Sequence, residues 1–133
     1  MVCVQCGNKT QVINSRPQRK VNQQWRRRQC QNCKAIFSTL EIADYSTLWA
    51  VRAPSEPLKP FGRDKLLLSL HRSLQHRSKS LDDAAGLADT VIAKLRSQAA
   101  NGVLTTKQIS QTVQVALNRF DKAASVHYQA MHK

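Results

Sequence analysis

Acidic residues, aromatics and glycines are all scarce in this sequence. Across 133 residues there are 8 Asp+Glu against 21 Lys+Arg, aromatics make up 5 %, and glycine occurs four times. So few large apolar anchors, at this length, point to one compact domain or two small ones and exclude a deep cleft between big lobes. No apolar run approaches the ~20 residues of a membrane-spanning helix. Met1-Val2-Cys3-Val4 also lacks the basic-then-apolar pattern of an export signal, so a cytoplasmic protein with no membrane partner is expected. Gly7, Gly62, Gly86 and Gly102 never fall two to a short loop, which rules out the glycine-rich cradles GxGxxG and GxxxxGK[ST]. GxSxG and HExxH are missing too. His71, His76, His127 and His132 are scattered, none beside a cysteine pair, and lone helix histidines are more often surface or packing residues than ligands. Nothing here is assembled for catalysis, and the chain is not expected to be an enzyme.

What the sequence has is positive charge, +13 at pH 7. Such a surface repels itself unless it meets a polyanion. The charge is unevenly placed. Residues 1–40 hold Lys9, Arg16, Arg19, Lys20, Arg26, Arg27, Arg28 and Lys34 with no acid, whereas 41–133 carry thirteen basic and all eight acidic residues, a net of +5. All four cysteines lie on the acid-free side, and Pro54, Pro57 and Pro60 follow at three-residue spacing. Two domains are expected, 1–42 and 46–133.

Cys3-Val4-Gln5-Cys6 and Cys30-Gln31-Asn32-Cys33 are two CxxC pairs separated by 23 residues. Two such knuckles joined by a β-hairpin supply the four thiolates of a tetrahedral Zn²⁺ site. Four thiolates close the coordination sphere, so the zinc is structural. It also replaces a core that about 40 residues can hardly build alone. Two disulfides are the alternative, but nothing implies an oxidising compartment. A redox CxxC would normally sit in a βαβ context that is missing here. Gly7 suits a knuckle turn that needs positive φ; Lys34 stands at the equivalent place and implies a more strained turn.

Between the knuckles, Thr10–Ser15 and Gln24–Gln29 read as strands joined by an exposed loop, Pro17–Asn22, and Ala35–Leu40 reads as a third strand. Alternation puts Arg26 and Arg28 on one face and Trp25 with Arg27 on the other. Guanidinium forks beside a planar aromatic suit phosphates and base edges. A solvated basic strand serving only solubility is the blander reading.

After Pro60 the period becomes helical. Arg63–Gln75 places Leu66, Leu67, Leu70 and Leu74 on one stripe. Ser80 is expected to N-cap a second helix that buries Leu81, Ala84, Ala88, Val91, Ile92 and Leu95 and stops near Asn101-Gly102. Thr105 or Thr106 caps a third helix carrying Ile109, Val113, Ala116, Leu117 and Phe120. Asp121 opens a fourth with Ala123, Ala124, Val126, His127, Ala130 and Met131 inward. Thr47–Arg52 reads as a strand, with Val103-Leu104 as a short partner. The fold class is α+β: a small β ribbon followed by a helical bundle capped by a small sheet.

Several of these segments resemble one family. Cys3-x-x-Cys6-Gly7, Thr10-Gln11-Val12-Ile13-Asn14-Ser15-Arg16, and Arg26-Arg27-Arg28-Gln29-Cys30-x-x-Cys33-x-x-x-Phe37-Ser38-Thr39-x-Glu41 are similar to the NrdR family. Pro60-Phe61-x-x-x-Lys65-Leu66, Ser80-x-Asp82-Asp83 and Phe120-Asp121-Lys122-Ala123-Ala124 extend the likeness more loosely. NrdR proteins are bacterial repressors of ribonucleotide reductase genes, with a zinc ribbon followed by an ATP-cone. The resemblance implies that Ser15, Arg16 and Arg26 to Arg28 serve DNA contact, and that an ATP-cone-like domain binds ATP or dATP and forms homo-oligomers. One departure stands out. Where the family carries a Lys/Arg-rich, KRDG-like turn for the phosphates, this chain has Ala53-Pro54-Ser55-Glu56. That leaves Arg52, Arg63 and Lys65 as candidate phosphate contacts, and nucleotide binding weaker than in the family.

The leading expectation is thus a zinc-dependent transcriptional regulator bound to double-stranded DNA at the bacterial nucleoid. Capture of the backbone by Arg16, Arg19, Lys20, Arg26 and Arg28 corresponds to a slope of log K against log salt of about −4 to −5. The rivals are an RNA- or ribosome-associated basic ribbon, and a nucleotide-controlled protein that regulates a reductase by direct contact.

Overall fold

Thr10–Gln18 (β1), Gln23–Cys30 (β2) and Ile36–Ile42 (β3) pair as an antiparallel meander in the order β1-β2-β3. The structure, a computed structural model, describes residues 1–132 and separates into two units, Met1–Ala43 and Asp44–Lys133. The ribbon strands run longer than the sequence suggests. β1 continues through Pro17 and Gln18, which the sequence placed in a loop, and the turn shrinks to four residues, Arg19 to Asn22. Proline is tolerated because β1 is an edge strand, where only half of the backbone groups face a ladder partner. Asn22 sits at φ 51°, a left-handed conformation that asparagine adopts at little cost. A register shift between Val12 and Asn14 marks a β-bulge in β1.

The second unit begins differently from its sequence reading. Asp44 accepts from the Ser46 N–H at 3.0 Å, and its carbonyl accepts from the Thr47 hydroxyl at 2.7 Å. These bonds wind Tyr45–Leu48 into a short helix (α1), so only Ala50–Arg52 (β4) remains extended. Lys59–Pro60 (β5) pairs antiparallel on one side of β4, and Val103–Thr105 (β6) pairs parallel on the other. Four longer helices follow from the stripes: α2 Arg63–Ser73, α3 Ser80–Leu95, α4 Thr106–Phe120 and α5 Lys122–Met131. Trp49, Phe61, Leu70, Leu74, Leu95, Leu104 and Leu117 form the centre of one buried cluster. Within it Trp49 meets Phe61 edge-on, with ring centroids 5.4 Å apart.

The helix ends show what periodicity alone misplaces. Ser80 does not cap α3; Lys79 stands at that position without a side-chain bond, and the Ser80 hydroxyl lies 3.1 Å from His71 Nε2. Leu81 is 59 % exposed, and Leu87 joins the buried stripe in its place. The first turn is held by polar contacts instead, Arg77 Nε donating to Asp83 at 2.8 Å. α3 also ends at Leu95 rather than near Gly102. Asn101 and Gly102, at φ 53° and 73°, turn the chain into β6. A Cβ on Gly102 would stand 2.9 Å from the Leu48 carbonyl oxygen, so glycine is required there. Thr105 caps α4 through a full capping box with Gln108.

α5 is rotated relative to its expected face. Ala124, Ser125 and Tyr128 are buried, whereas Ala123, Val126, His127, Ala130 and Met131 face solvent. Phe120 is exposed to 42 % under the Arg77 guanidinium, 4.6 Å from the ring centroid. The rotation is fixed by Asp121. Its Oδ1 accepts from Ala124 N at 3.1 Å, capping α5, while Oδ2 accepts from His76 Nε2 at 2.8 Å and Arg77 Nη1 at 3.1 Å. These donors, His76 foremost and then Ala124 N, hold the Asp121 carboxyl well below the ordinary carboxylate range. A depressed folded pKa gives stability that is present above the unfolded value of about 3.9 and is lost as pH falls below it. Asp121→Asn keeps the cap but not the charge. Its melting-temperature deficit against the native chain is therefore expected to be largest at neutral pH and to shrink as pH drops below about 4. A deficit independent of pH overturns that account.

Candidate metal centre and nucleic-acid interface

The two knuckles bring their thiols together. The Sγ atoms of Cys3, Cys6, Cys30 and Cys33 all lie within 4.8 Å of one another, with Cys3–Cys33 at 3.7 Å and Cys6–Cys30 at 3.5 Å. Sulfurs at the corners of a zinc tetrahedron, with Zn–S near 2.3 Å, stand about 3.8 Å apart. The local backbone is built for thiolates. Gln5 N–H donates to Cys3 Sγ at 3.3 Å, and Asn32 and Cys33 N–H donate to Cys30 Sγ at 3.3 and 3.4 Å. The Asn8 side chain, with its backbone N–H, lowers the Cys6 thiol to about 5. Cys33 behaves oppositely. The Ala35 N–H lowers it, but partial desolvation and the neighbouring Cys6, Cys3 and Cys30 thiols push it up to about 12. Four sulfurs this close cannot all carry charge without a cation among them, and a divalent soft-ligand ion resolves that conflict. The donor set therefore fits structural Zn²⁺. Coordinated by all four, the ion has no open position for water.

Each knuckle makes its turn as the composition demands. Gly7 lies at φ 77° and its N–H donates to Cys3 O at 3.0 Å. Lys34 occupies φ 63°, an unfavourable region for a side chain of this kind, and its ammonium donates to Gln31 O at 3.0 Å. Gln31 N donates to Lys9 O at 3.2 Å and ties the second knuckle to the strand leaving the first.

The basic side chains fall on different parts of the ribbon. Arg19 and Lys20 occupy the β1–β2 turn. Arg16 stands opposite Trp25, its guanidinium carbon 5.9 Å from the ring centroid. Arg27 stands opposite Asn14 and is exposed. On the other face, Ser15 is the partner of Arg26, which donates to Glu41 at 3.0 Å. Arg28 Nη1 donates to Thr10 Oγ1 at 3.3 Å, and its buried Nε has no partner among the described residues. The residues singled out from sequence thus share one small sheet but not one face of it.

The second unit holds a cavity of about 570 Å³. Its apolar wall includes Val51, Phe61, Leu66 and Tyr128, and its cations are Lys59, Lys65 and Lys107. Of the three candidate phosphate contacts only Lys65 lines it. Arg52 borders a neighbouring depression with Ala53 to Glu56, and Arg63 pairs with Asp89 at 2.9 Å. Glu56 lies at the cavity edge and accepts from Lys59 Nζ at 2.8 Å. Lys59 and Lys107 escaped the sequence reading. Lys107 did carry a signal: it is a cation in the first turn of α4, a turn with no acid, where the helix dipole favours negative charge.

Residues 1–41 match the family model described as the N-terminal domain of NrdR-like transcriptional repressors. Over 134 aligned positions the chain is 34% identical to a transcriptional repressor NrdR of Rhodospirillum centenum, covering all of this chain and 86% of that protein. A transcriptional repressor NrdR of Streptococcus sanguinis is 31% identical, again over the whole chain and 84% of its own length. Both relatives are named as repressors, not as enzymes. With the thiol cluster at the expected knuckles and the likeness running end to end, the chain belongs to the NrdR family.

Proposed function

We propose that this chain is a zinc-dependent, DNA-binding transcriptional repressor. The observation that carries the reading is the ribbon itself: a sheet held at one end by four thiols and carrying eight basic side chains in residues 1–40 with no acid before Glu41. Cys3, Cys6, Cys30 and Cys33 hold the zinc. Arg16, Arg19, Lys20, Arg26 and Arg28 supply the field that captures the phosphate backbone. The relatives' names point the same way. A three-stranded ribbon offers little reading surface, so specificity requires at least two copies on spaced half-sites. Self-association is assigned to the second unit, and the protein works in the cytoplasm at the nucleoid.

The same unit is proposed to take an adenine nucleotide, ATP or dATP, in its cavity. Lys59, Lys65 and Lys107 face the phosphates and the apolar wall holds the base. Glu56 opposes this by taking up Lys59, so affinity falls below that of a cavity with an all-cationic turn.

A fluorescence-anisotropy titration against duplex DNA over a salt series, with and without ATP, tests the reading. Five phosphate contacts give a slope of about −4 to −5 in log K against log salt. A salt-independent interaction, or much tighter binding to structured RNA than to duplex at one salt concentration, overturns it. A sedimentation profile that stays monomeric on DNA overturns the self-association.

A further inference from the structure

The two faces of the ribbon differ in charge, and the difference divides the arginine run. Strand register puts Arg16, Trp25 and Leu40 in one row and Asn14, Arg27 and Ser38 in the next, on a common face. The opposite face carries Ser15, Arg26 and Thr39, flanked by Arg28 and by Glu41. Glu41 is the sole carboxylate of residues 1–43. It holds Arg26 at 3.0 Å, while Arg28 is engaged with Thr10. Arg26 is therefore paired within the sheet, and Arg28 is held by one hydrogen bond with its buried Nε unpartnered among the described residues, so neither presents a free fork to a base edge. The Trp25 face has no carboxylate, and Arg27 is exposed and in no ion pair among the described residues.

Arg27 also has a neighbour suited to bases. Asn14 is its direct cross-strand partner and follows the bulge in β1, a device that re-aims side chains. Its Oδ1 accepts from Ser15 N–H at 2.8 Å. That bond fixes the carboxamide and leaves the Nδ2 donors and a second oxygen lone pair facing out. An arginine fork matches guanine O6 and N7, an asparagine carboxamide matches adenine N6 and N7, and a β-ribbon fits the major groove.

Resting on the DNA-binding reading above, we infer that Asn14 and Arg27 are the base-reading pair. Arg16, braced over Trp25, contacts the phosphates. Arg26 and Arg28 are positioning residues that hold the sheet and read no base. The preferred site carries a guanine for Arg27 beside an adenine for Asn14.

The test uses the full zinc-loaded chain and a duplex library with a randomised central segment, followed by affinity measurements on a selected and a random duplex over a salt series. The native chain is expected to enrich a motif. Arg27→Ala and Asn14→Ala are each expected to cut the preference for selected over random duplex by about 10-fold. Arg26→Ala and Arg28→Ala keep that preference, and zinc content confirms that each variant is folded. Arg27→Lys keeps the salt slope and loses the preference, because a point charge cannot replace the fork. Loss of preference in Arg26→Ala or Arg28→Ala with Arg27→Ala and Asn14→Ala unaffected overturns the assignment, as does full rescue by Arg27→Lys. A native chain that binds duplex without salt dependence and enriches nothing overturns the DNA reading itself, and this inference with it.

Discussion

Cys30→Ser is expected to abolish zinc binding and to unfold the Met1–Ala43 unit while leaving the helical unit folded. Cys3 and Cys30 are the only fully buried apolar residues of the first unit. The exposed side of the sheet carries Ile36, Leu40 and Ile42, at 48%, 55% and 59% exposure, so little apolar area is withdrawn from water to offset chain entropy. The metal must supply the difference. Structural zinc in such small modules contributes about 10–16 kcal/mol of apparent binding free energy, which is folding free energy because the unfolded chain has no site. Cys30 is the most committed of the four, since its sulfur accepts the Asn32 and Cys33 N–H groups and its own N–H donates to Ala35 O at 2.9 Å. Serine offers a harder, shorter ligand that must lose a proton of much higher pKa. Metal analysis should fall from one zinc per chain to none, amide protection in β1 to β3 should vanish, and duplex DNA binding should go with it. Chelation of the native chain should reproduce all three. A Cys30→Ser chain that keeps its sheet would show that the ribbon has a core of its own.

Leu70→Ala is expected to produce the opposite pattern. Leu70 is wholly buried in α2, and every residue of the buried cluster around it lies between Trp49 and Tyr128. Removing its branched end loses the transfer free energy of the side chain and leaves a cavity, about 3–5 kcal/mol in comparable cores. In a unit of this size that lowers the melting temperature by more than about 10 °C. Zinc stoichiometry and ribbon protection should not change. The two substitutions together form a double dissociation: each should remove one unit's stability and spare the other's. A single cooperative transition lost in both variants would mean that the two units fold as one.

Much of this was legible because the signals are local. Two CxxC pairs, a run of forty residues without an acid, and leucines at helical spacing each state their meaning within a few positions. Thr105 with Gln108, and Asp121 before α5, announce helix starts for the same reason, because a cap bonds within three residues of itself. Where local patterns mislead, a distant partner decides. α5 has enough small and apolar residues to bury either of two faces. Asp121, reached by His76 and Arg77 from more than forty positions away, selects the one with Tyr128. Lys59 is an unremarkable charge until β5 brings it beside Lys65 and Lys107.

The arginine run shows the same limit on the ribbon. Alternation along β2 separates Arg26 and Arg28 from Arg27, and the sequence alone determines that much, along with the zinc ligands, the basic polarity of the ribbon and the α+β class. It leaves the two faces equivalent. Only the register of β3 against β2 places Glu41 within reach of Arg26, and only the bulge in β1 sets Asn14 opposite Arg27. The physical reason is range. Hydrophobic period and metal-ligand spacing act along the chain, whereas charge pairing and groove complementarity depend on which strands lie side by side, and that is decided by the fold.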